Sequence, residues 1–438
     1  MITPQIPKGF RDFLPLKMIF RQKVIEVMTT VFETFGFEPV DTPCIEYAET
    51  LEGKYGEEGE RLIYKFQDRG GRMVALRYDL TIPLCRIMSM YPEIVKPFKC
   101  YHIAPVWRAD KPQKGRFREF YQCDIDIIGT DSVYADGELL IITYSVLKNL
   151  GFKNFLMRIN NRKVLNGFAL KEGIDKKDVL FFLRSVDKLD KIGPEGVWQE
   201  LSKKGLFGKD SETRFIDLMS SDAGSNADRL GEMDKLVEGV PVGEEGIKEL
   251  KIINETLTAH GVPEKYYQFD FTLARGLDYY TGPIFETVVK EPKIGSITGG
   301  GRYDNLIGLF SKKPFPATGT SFGLERIVTV MEELVSDKPN VAKTQVLITL
   351  FETGLMSMNL KLAKTLREAG IKTEVYFSPD KLKKQLTYAA NRGIPFVIIL
   401  GPDESNEGKV TLKNMDIGKQ VTIPQSDMVR KIQENLSR

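Results

Sequence analysis

The segment Lys99 to Gly129, KCYHIAPVWRADKPQKGRFREFYQCDIDIIG, limits the possible folds of this chain more than any other. Val106-Trp107-Arg108 reads as a strand, Asp110 to Gly115 as a polar loop with Pro and Gly, and Phe117 to Ile128 as a returning strand of alternating polar and apolar residues. The outcome is an antiparallel pair with a long basic loop. Arg108, Lys111, Lys114, Arg116 and Arg118 gather around that loop, enough charge to neutralise a triphosphate or the acceptor end of an RNA, or simply to make a basic surface hairpin. The chain contains no GxxxxGKS or GxxxxGKT, so phosphate would be held by arginine forks and not by a P-loop. On the returning strand Gln122, Asp124 and Asp126 alternate, which puts their side chains on one face.

A second dense stretch is LARGLDYYTGPIFE, Leu273 to Glu286, with Arg275, Asp278, two adjacent tyrosines and two glycines. Pro283 and the glycines exclude a long buried helix, leaving a turn that feeds a strand and a backbone that can approach a ligand closely. The converging polar groups suit a small polar ligand; the same residues also make a hairpin with core tyrosines and a solvated arginine. In SITGGGRYDNLIG, Ser296 to Gly308, three consecutive glycines weaken a strand for any purpose except tight backbone approach. Upstream, the runs YKFQD and RMVALRYD flank Arg69-Gly70-Gly71 as a hairpin. That hairpin delivers Arg77, Asp79 and Thr81 to a strand end, where a carboxylate beside a hydroxyl either holds a protonated amino group or caps a helix.

The 438 residues exceed one ordinary core, and two or three domains are expected. PKGFRDFLP, Pro7 to Pro15, is a punctuated lead-in to an amphipathic helix over Lys17 to Phe35, stopped by Gly36 and followed by an extended segment, Phe37 to Pro43. From about Lys163 to Pro263, charged helix-favouring segments alternate with glycine-bearing breaks, which reads as a polar helical insertion or spacer. Thr318 to Val330 gives a strand, a glycine break and a helix carrying Arg326. After a linker at Lys338-Pro339-Asn340, strands and helices alternate as a small α/β layer with a mainly parallel sheet. The net charge of +2 argues against a general nucleic-acid coat, but Lys338 to Arg438 holds 16 Lys+Arg against 10 Asp+Glu. That excess suits a local phosphate-contact surface and equally a solvated lysine-rich domain. Four cysteines without a CxxC pair argue against a zinc site or disulfide scaffold and fit a reducing cytosol. His102 and His260 form no HExxH pair, and no apolar run approaches the roughly 18 residues of a membrane span.

Leu273 to Glu286 and Ser296 to Gly308 resemble the two histidine-site signatures of histidyl-tRNA synthetases, a class II aminoacyl-tRNA synthetase family. The lead helix with Pro43, the Arg108 hairpin and the Arg326 helix resemble class II motifs 1, 2 and 3, and LRYDLT is similar to the family's equivalent segment. The resemblance implies an α+β catalytic domain with an antiparallel sheet over 1–335, a helical insertion over 163–263, and a C-terminal α/β anticodon-binding domain over 341–438. It implies ligation of L-histidine to histidine tRNA through histidyl-adenylate, with ATP and magnesium, in a cytoplasmic homodimer. Arg108 would meet the α-phosphate with Arg275, both catalytic; Arg116 and Arg326 would hold the outer phosphates and Phe120 would stack adenine. Asp110, in place of the usual glutamate, would sit beside the adenine. Asp79, Thr81, Gln122, Asp126, Arg275, Tyr280 and Tyr303 would line the histidine pocket, with Gln122 at the amino group and a shorter acid, Asp126, at the imidazole. Magnesium would bind mostly through ATP oxygens, and the protein's own magnesium ligands stay open. The other reading is a catalytically silent regulatory or histidine-sensing paralogue; such proteins tend to lack the C-terminal domain or the phosphate arginines, and this chain has both.

Overall fold

The computed structural model describes residues 2–55, 59–113, 115–207, 212–220, 224–274, 279–311, 315–334 and 343–436. These fall into two compact units, one of Met1–Asp12 and Arg21–Ser336, the other of Phe13–Phe20 and Asp337–Arg438. In the first unit the strands are β1 (Glu38–Pro39), β2 (Ile45–Tyr47), β3 (Lys65–Gln67), β4 (Met73–Leu76), β5 (Phe98–Trp107), β6 (Glu119–Ile128), β7 (Leu156–Asn161), β8 (Tyr267–Phe269), β9 (Pro283–Val288), β10 (Thr298–Arg302) and β11 (Ala317–Gly323). Eight of them form one sheet in the order β1-β5-β6-β11-β10-β9-β7-β8, antiparallel except where β1 joins β5 and β8 joins β7. The remaining three form a small antiparallel sheet, β2-β4-β3.

The β5–β6 pair is longer than the sequence suggests. It is paired in register from Phe98↔Ile128 to Trp107↔Glu119, and Arg108 lies just beyond it. Both faces of β6 are covered over most of its length, so its alternation separates two buried environments. Cys123 and Ile125 share the face of Phe322 and Tyr101, against which Phe32 of the helix Pro15–Thr34 packs at ring distances of 5.5 and 5.8 Å. Gln122, Asp124 and Asp126 point the other way. The extended segment expected over Phe37 to Pro43 shortens to β1, which pairs with Cys100 and Tyr101 of β5.

Within residues 163–263 the helices include Val179–Val186, Leu189–Lys203, Glu212–Ser220, Asn226–Val237 and Pro241–Ala259. Gly193, with φ 70°, kinks the second of these. The segment is not merely polar: Trp198, Phe207 and Phe215 stack mutually at 5.5 to 5.7 Å and give it a core of its own. Pro241–Ala259 closes on Arg162–Lys171 through Gly167 and Gly243, where a Cβ on Gly167 would stand 2.5 Å from the Gly243 Cα.

The second unit holds β12 (Val346–Ile348), β13 (Thr373–Val375), β14 (Phe396–Ile399), β15 (Lys409–Asn414) and β16 (Gln420–Pro424), in the order β13-β12-β14-β15-β16. Strand and helix alternate as expected, but the sheet is only half parallel. β12 is parallel to β13 and β14, whereas β15 and β16 add antiparallel, since the connections 400–408 and 415–419 that lead into them are shorter than a parallel crossover needs.

One buried ion pair fixes the first unit around the glycine-rich strand β10. Arg302 and Asp136 are 3% and 0% exposed, with Arg302 Nη2 donating to Asp136 Oδ2 at 2.5 Å. Arg302 also donates to the carbonyls of Thr130 and Ser132, and Thr318 donates to the second Asp136 oxygen. Replacing Arg302 by Met leaves that carboxylate buried without its cation, which should cost about 3–5 kcal/mol. Urea unfolding checks this; a loss below about 1 kcal/mol would mean the pair does not hold the unit.

Candidate active site

Two adjoining cavities open on the polar face of β6. The larger, about 500 Å³, is walled by the basic loop after β5, by the start of the helix Leu324–Leu334 and by the glycines of β10. The smaller, about 120 Å³, is lined by Asp79, Thr81, Asp124, Asp126, Tyr279 and Tyr303 among others. Arg108, Gln122, Tyr280, Gly299 and Ser321 line both.

The small chamber is a nest of carboxylates. Asp79, Asp124 and Asp126 are buried, and none has an ion pair among the described residues. Asp79 Oδ1 accepts from Tyr55 Oη at 2.9 Å and from the Ile82 amide at 3.1 Å, while Oδ2 is buried with no hydrogen-bond partner among the described residues. One Asp79 oxygen therefore accepts an amide from the first turn of the helix Thr81–Met90, whose N-cap is Leu80, and the other has no partner among the described residues. Gln122 Nε2 donates to Ser321 Oγ at 2.9 Å, and its Oε1 is likewise buried without a partner. Two acceptors thus lack donors, which is costly unless a ligand supplies them. Tyr303 Oη donates to Asp126 Oδ1 at 2.5 Å. Asp126 fits because its cross-strand neighbour is Gly319, whose Cβ, if present, would stand 1.9 Å from that oxygen. Burial, more than any neighbour, raises Asp126 to a pKa of about 7 and pushes Asp79 and Asp124 upward, with Asp126 adding to the rise at Asp124.

In the large chamber Arg108 donates through Nε to the Tyr78 carbonyl at 3.1 Å. Its guanidinium lies 4.3 Å from the Tyr78 ring centroid and 5.1 Å from that of Phe120. Phe120 packs on Leu80, Ala104 and Val106 and lines the cavity. Arg326 Nη1 donates to the Ser296 carbonyl at 2.6 Å. Arg116 stands 3.7 Å from the Asp110 carboxylate, so Asp110 faces an arginine as well as the cavity. Gly300 and Gly301 allow the tight packing expected: a Cβ would stand 2.1 Å from the Gly319 carbonyl oxygen at the first and 2.5 Å from that of Pro283 at the second. Arg275 and Lys114 lie outside the described residues, and neither His102 nor His260 lines either of these two cavities.

The sequence model of histidyl-tRNA synthetase matches residues 9–327, and that of the anticodon binding domain matches residues 345–435. The chain belongs to the histidyl-tRNA synthetase family. It is 39% identical to the histidine--tRNA ligase of Cytophaga hutchinsonii, over 99% of this chain and all of that one. The structure is similar to the histidyl-tRNA synthetase of Nostoc sp. PCC 7120, with a TM-score of 0.88 and 30% identity over 99% of this chain and all of that one. It shares its fold with a Bacillus halodurans ATP phosphoribosyltransferase regulatory subunit/histidyl-tRNA synthetase, with a TM-score of 0.76 and 23% identity over 89% of this chain and 97% of that one. The family's architecture, a class II catalytic region of antiparallel strands followed by an α/β anticodon-binding region, is the one the sequence motifs imply.

Sequence reasoning passed over several groups. Tyr55 sits in a segment without a motif and Ser321 on the strand that leads into the Arg326 helix, and only the fold brings them to Asp79 and Gln122. Asp124 was visible in the alternation of β6. Glu286 closes the tyrosine stretch, and its role emerges from distant partners: Arg158 donates to Oε1 at 2.8 Å and Ser296 Oγ to Oε2 at 2.6 Å.

Ionised Asp126 can accept a ligand N–H while taking Tyr303 Oη; protonated, it loses acceptor capacity. Its pKa is raised from 3.8 to about 7, so the ionised form is present above about pH 7 and is lost as pH falls through that value. Ligand affinity in the small chamber should therefore fall up to about tenfold per pH unit below that point. Asp126→Asn should abolish this component, measured as a difference profile so that the ligand's own titration cancels. Parallel profiles for the two proteins would exclude Asp126 as the acceptor.

Proposed function

We propose that the protein joins L-histidine to ATP as histidyl-adenylate, releasing pyrophosphate, and then passes the histidyl group to the terminal ribose hydroxyl of histidine tRNA. The observation that carries this reading is the shared wall of the two cavities. An amino acid in the carboxylate chamber and a nucleotide in the arginine chamber would meet at Arg108, Gln122 and Tyr280.

The ammonium of histidine suits Asp79 Oδ2 and Gln122 Oε1, the two buried acceptors without donors, with Thr81 beside them. The imidazole would lie against Asp126, Tyr280 and Tyr303, which offer both acceptor and hydroxyl. The α-carboxylate is left pointing at the junction. One of its oxygens attacks the α-phosphorus, the new C–O–P link forms, and the bond to the bridging oxygen breaks to release pyrophosphate. Negative charge grows on the transferring phosphoryl group, and Arg108, with Arg275 by resemblance, stabilises it there more than in the ground state. Arg116 and Arg326 would take the outer phosphates and Phe120 the adenine, with Asp110 shared between Arg116 and the base. No side-chain nucleophile is involved; catalysis rests on position and charge. Among the described residues no group of three or more His, Cys, Asp or Glu could hold a metal ion. Magnesium would bind mostly through ATP oxygens and supply charge neutralisation.

We assign 1–335 to catalysis, 163–263 to the insertion within it and 341–438 to tRNA anticodon contact. Ile45, Tyr47 and Phe66 share one face of the small β2-β4-β3 sheet and leave it half-exposed, which supports a homodimer. Four free thiols support a cytoplasmic location; no helix among the described residues is long and apolar enough to cross a membrane.

Amino-acid-dependent exchange between ATP and pyrophosphate, run without tRNA, tests the reading. Histidine alone among the twenty should support exchange, and Arg275→Ala should lower its rate about 100-fold while histidine binding persists. Histidine binding without exchange in the wild-type protein would assign it instead to the silent histidine-sensing paralogues.

A further inference from the structure

The lead-in PKGFRDFLP has no part in the chemistry above, yet its residues 8–12 lie against the basic loop. Arg118 donates through its amide to the Gly9 carbonyl at 2.9 Å and through Nη1 to the Lys8 carbonyl at 3.4 Å. Gly9 has φ 89°, and a Cβ there would stand 2.8 Å from Arg118 Cγ and 2.9 Å from Pro112 Cγ. Only glycine lets the strap lie this close to both ends of the loop. Two residues on, the Arg11 guanidinium covers the ring of Phe117 with its carbon 3.2 Å from the centroid. The same guanidinium places Nη2 2.8 Å from Glu325 Oε2.

Glu325 is where the walls of the large chamber meet. It is buried, receives Arg21 Nη1 at 2.6 Å on Oε2 and the Tyr121 amide at 3.2 Å on Oε1, and immediately precedes Arg326. Phe117 and Glu325 line the cavity, whereas Lys8, Gly9 and Arg11 do not. We infer that residues 8–12 are a positioning strap for the nucleotide chamber, with Arg11 bridging Phe117 of the loop to Glu325 of the opposite wall. The bridge holds the loop that carries Arg116 at a fixed distance from Arg326. A loop rich in like charge repels itself and its neighbours, so without a tether its arginines would be spread over many positions before a nucleotide arrives. Pre-ordering them lowers the entropy lost on binding. The stack on Phe117 needs a planar cation, and the pair with Glu325 a charged one, so arginine serves both where lysine serves one. Among the described residues none of 8–12 lines the small chamber.

The inference rests on ATP occupying the large chamber, and one experiment separates the two claims. Histidine-dependent exchange is measured for the wild-type protein, Arg11→Ala, Arg11→Lys and Gly9→Ala, varying ATP and histidine separately, with the thermal midpoint of each protein recorded. For Arg11→Ala the KM for ATP should rise about tenfold and the KM for histidine stay within about twofold. Arg11→Lys, keeping the charge but not the planar stack, should fall between, and Gly9→Ala should shift the KM for ATP in the same direction. An unchanged KM for ATP in Arg11→Ala, or equal rises in both KM values, would overturn the strap and reduce Arg11 to general support of the fold. Absence of exchange in the wild-type protein would overturn the functional reading itself.

Discussion

Three carboxylates are buried side by side at the centre of this protein, and none of them has an ion pair among the described residues. Taking Asp79, Asp124 and Asp126 out of water opposes their ionised forms, and the chain answers with hydroxyl donors from Tyr55, Tyr303 and Ser321. Those bonds satisfy only some of the oxygens. The remaining acceptors, Asp79 Oδ2 and Gln122 Oε1, have no donor among the described residues. On the proposed function an ammonium group would supply it, and a ligand that binds only the folded state would restore the stability given up in the free protein.

Much of the surrounding architecture serves to keep that arrangement fixed. β11 offers Gly319 opposite Asp126 and β10 offers Gly300 opposite Thr320, so backbone fills space that side chains would occupy elsewhere. The apolar face of β6 is pressed against the lead helix through Phe32 and Phe322, which leaves the polar face no freedom to turn. Arg302 and Asp136 anchor β10 from behind, placing the adjacent Tyr303 against Asp126. At the other end of the site, Glu325 gathers Arg11, Arg21 and the Tyr121 amide on one buried carboxylate.

The sequence made the hairpin of β5 and β6 legible, because period-two alternation around a Pro/Gly loop has few other solutions. It also put Gln122, Asp124 and Asp126 on one face of the strand that returns from the loop of Arg108, and Arg108, Gln122 and Asp126 line the cavities. Three things escaped it. Which oxygen of Asp79 meets the helix and which stays open depends on Tyr55, 24 residues away. Trp198, Phe207 and Phe215 form a core within the charged segment because their helices fold back on one another, a relation that no single helical period encodes. β15 and β16 reverse the parallel order of the terminal sheet, since strand direction is set by the length of a connection and not by the strand's own residues.

The central claim is that amino acid and nucleotide meet where the two cavities share a wall. A crystal structure with a non-hydrolysable histidyl-adenylate mimic tests it most directly. The account predicts the imidazole against Asp126, the ammonium between Asp79 Oδ2 and Gln122 Oε1, the phosphate mimic at Arg108, and the adenine in the larger chamber beside Phe120. An imidazole outside the carboxylate chamber, or an adenine away from the chamber of Arg116 and Arg326, would contradict it.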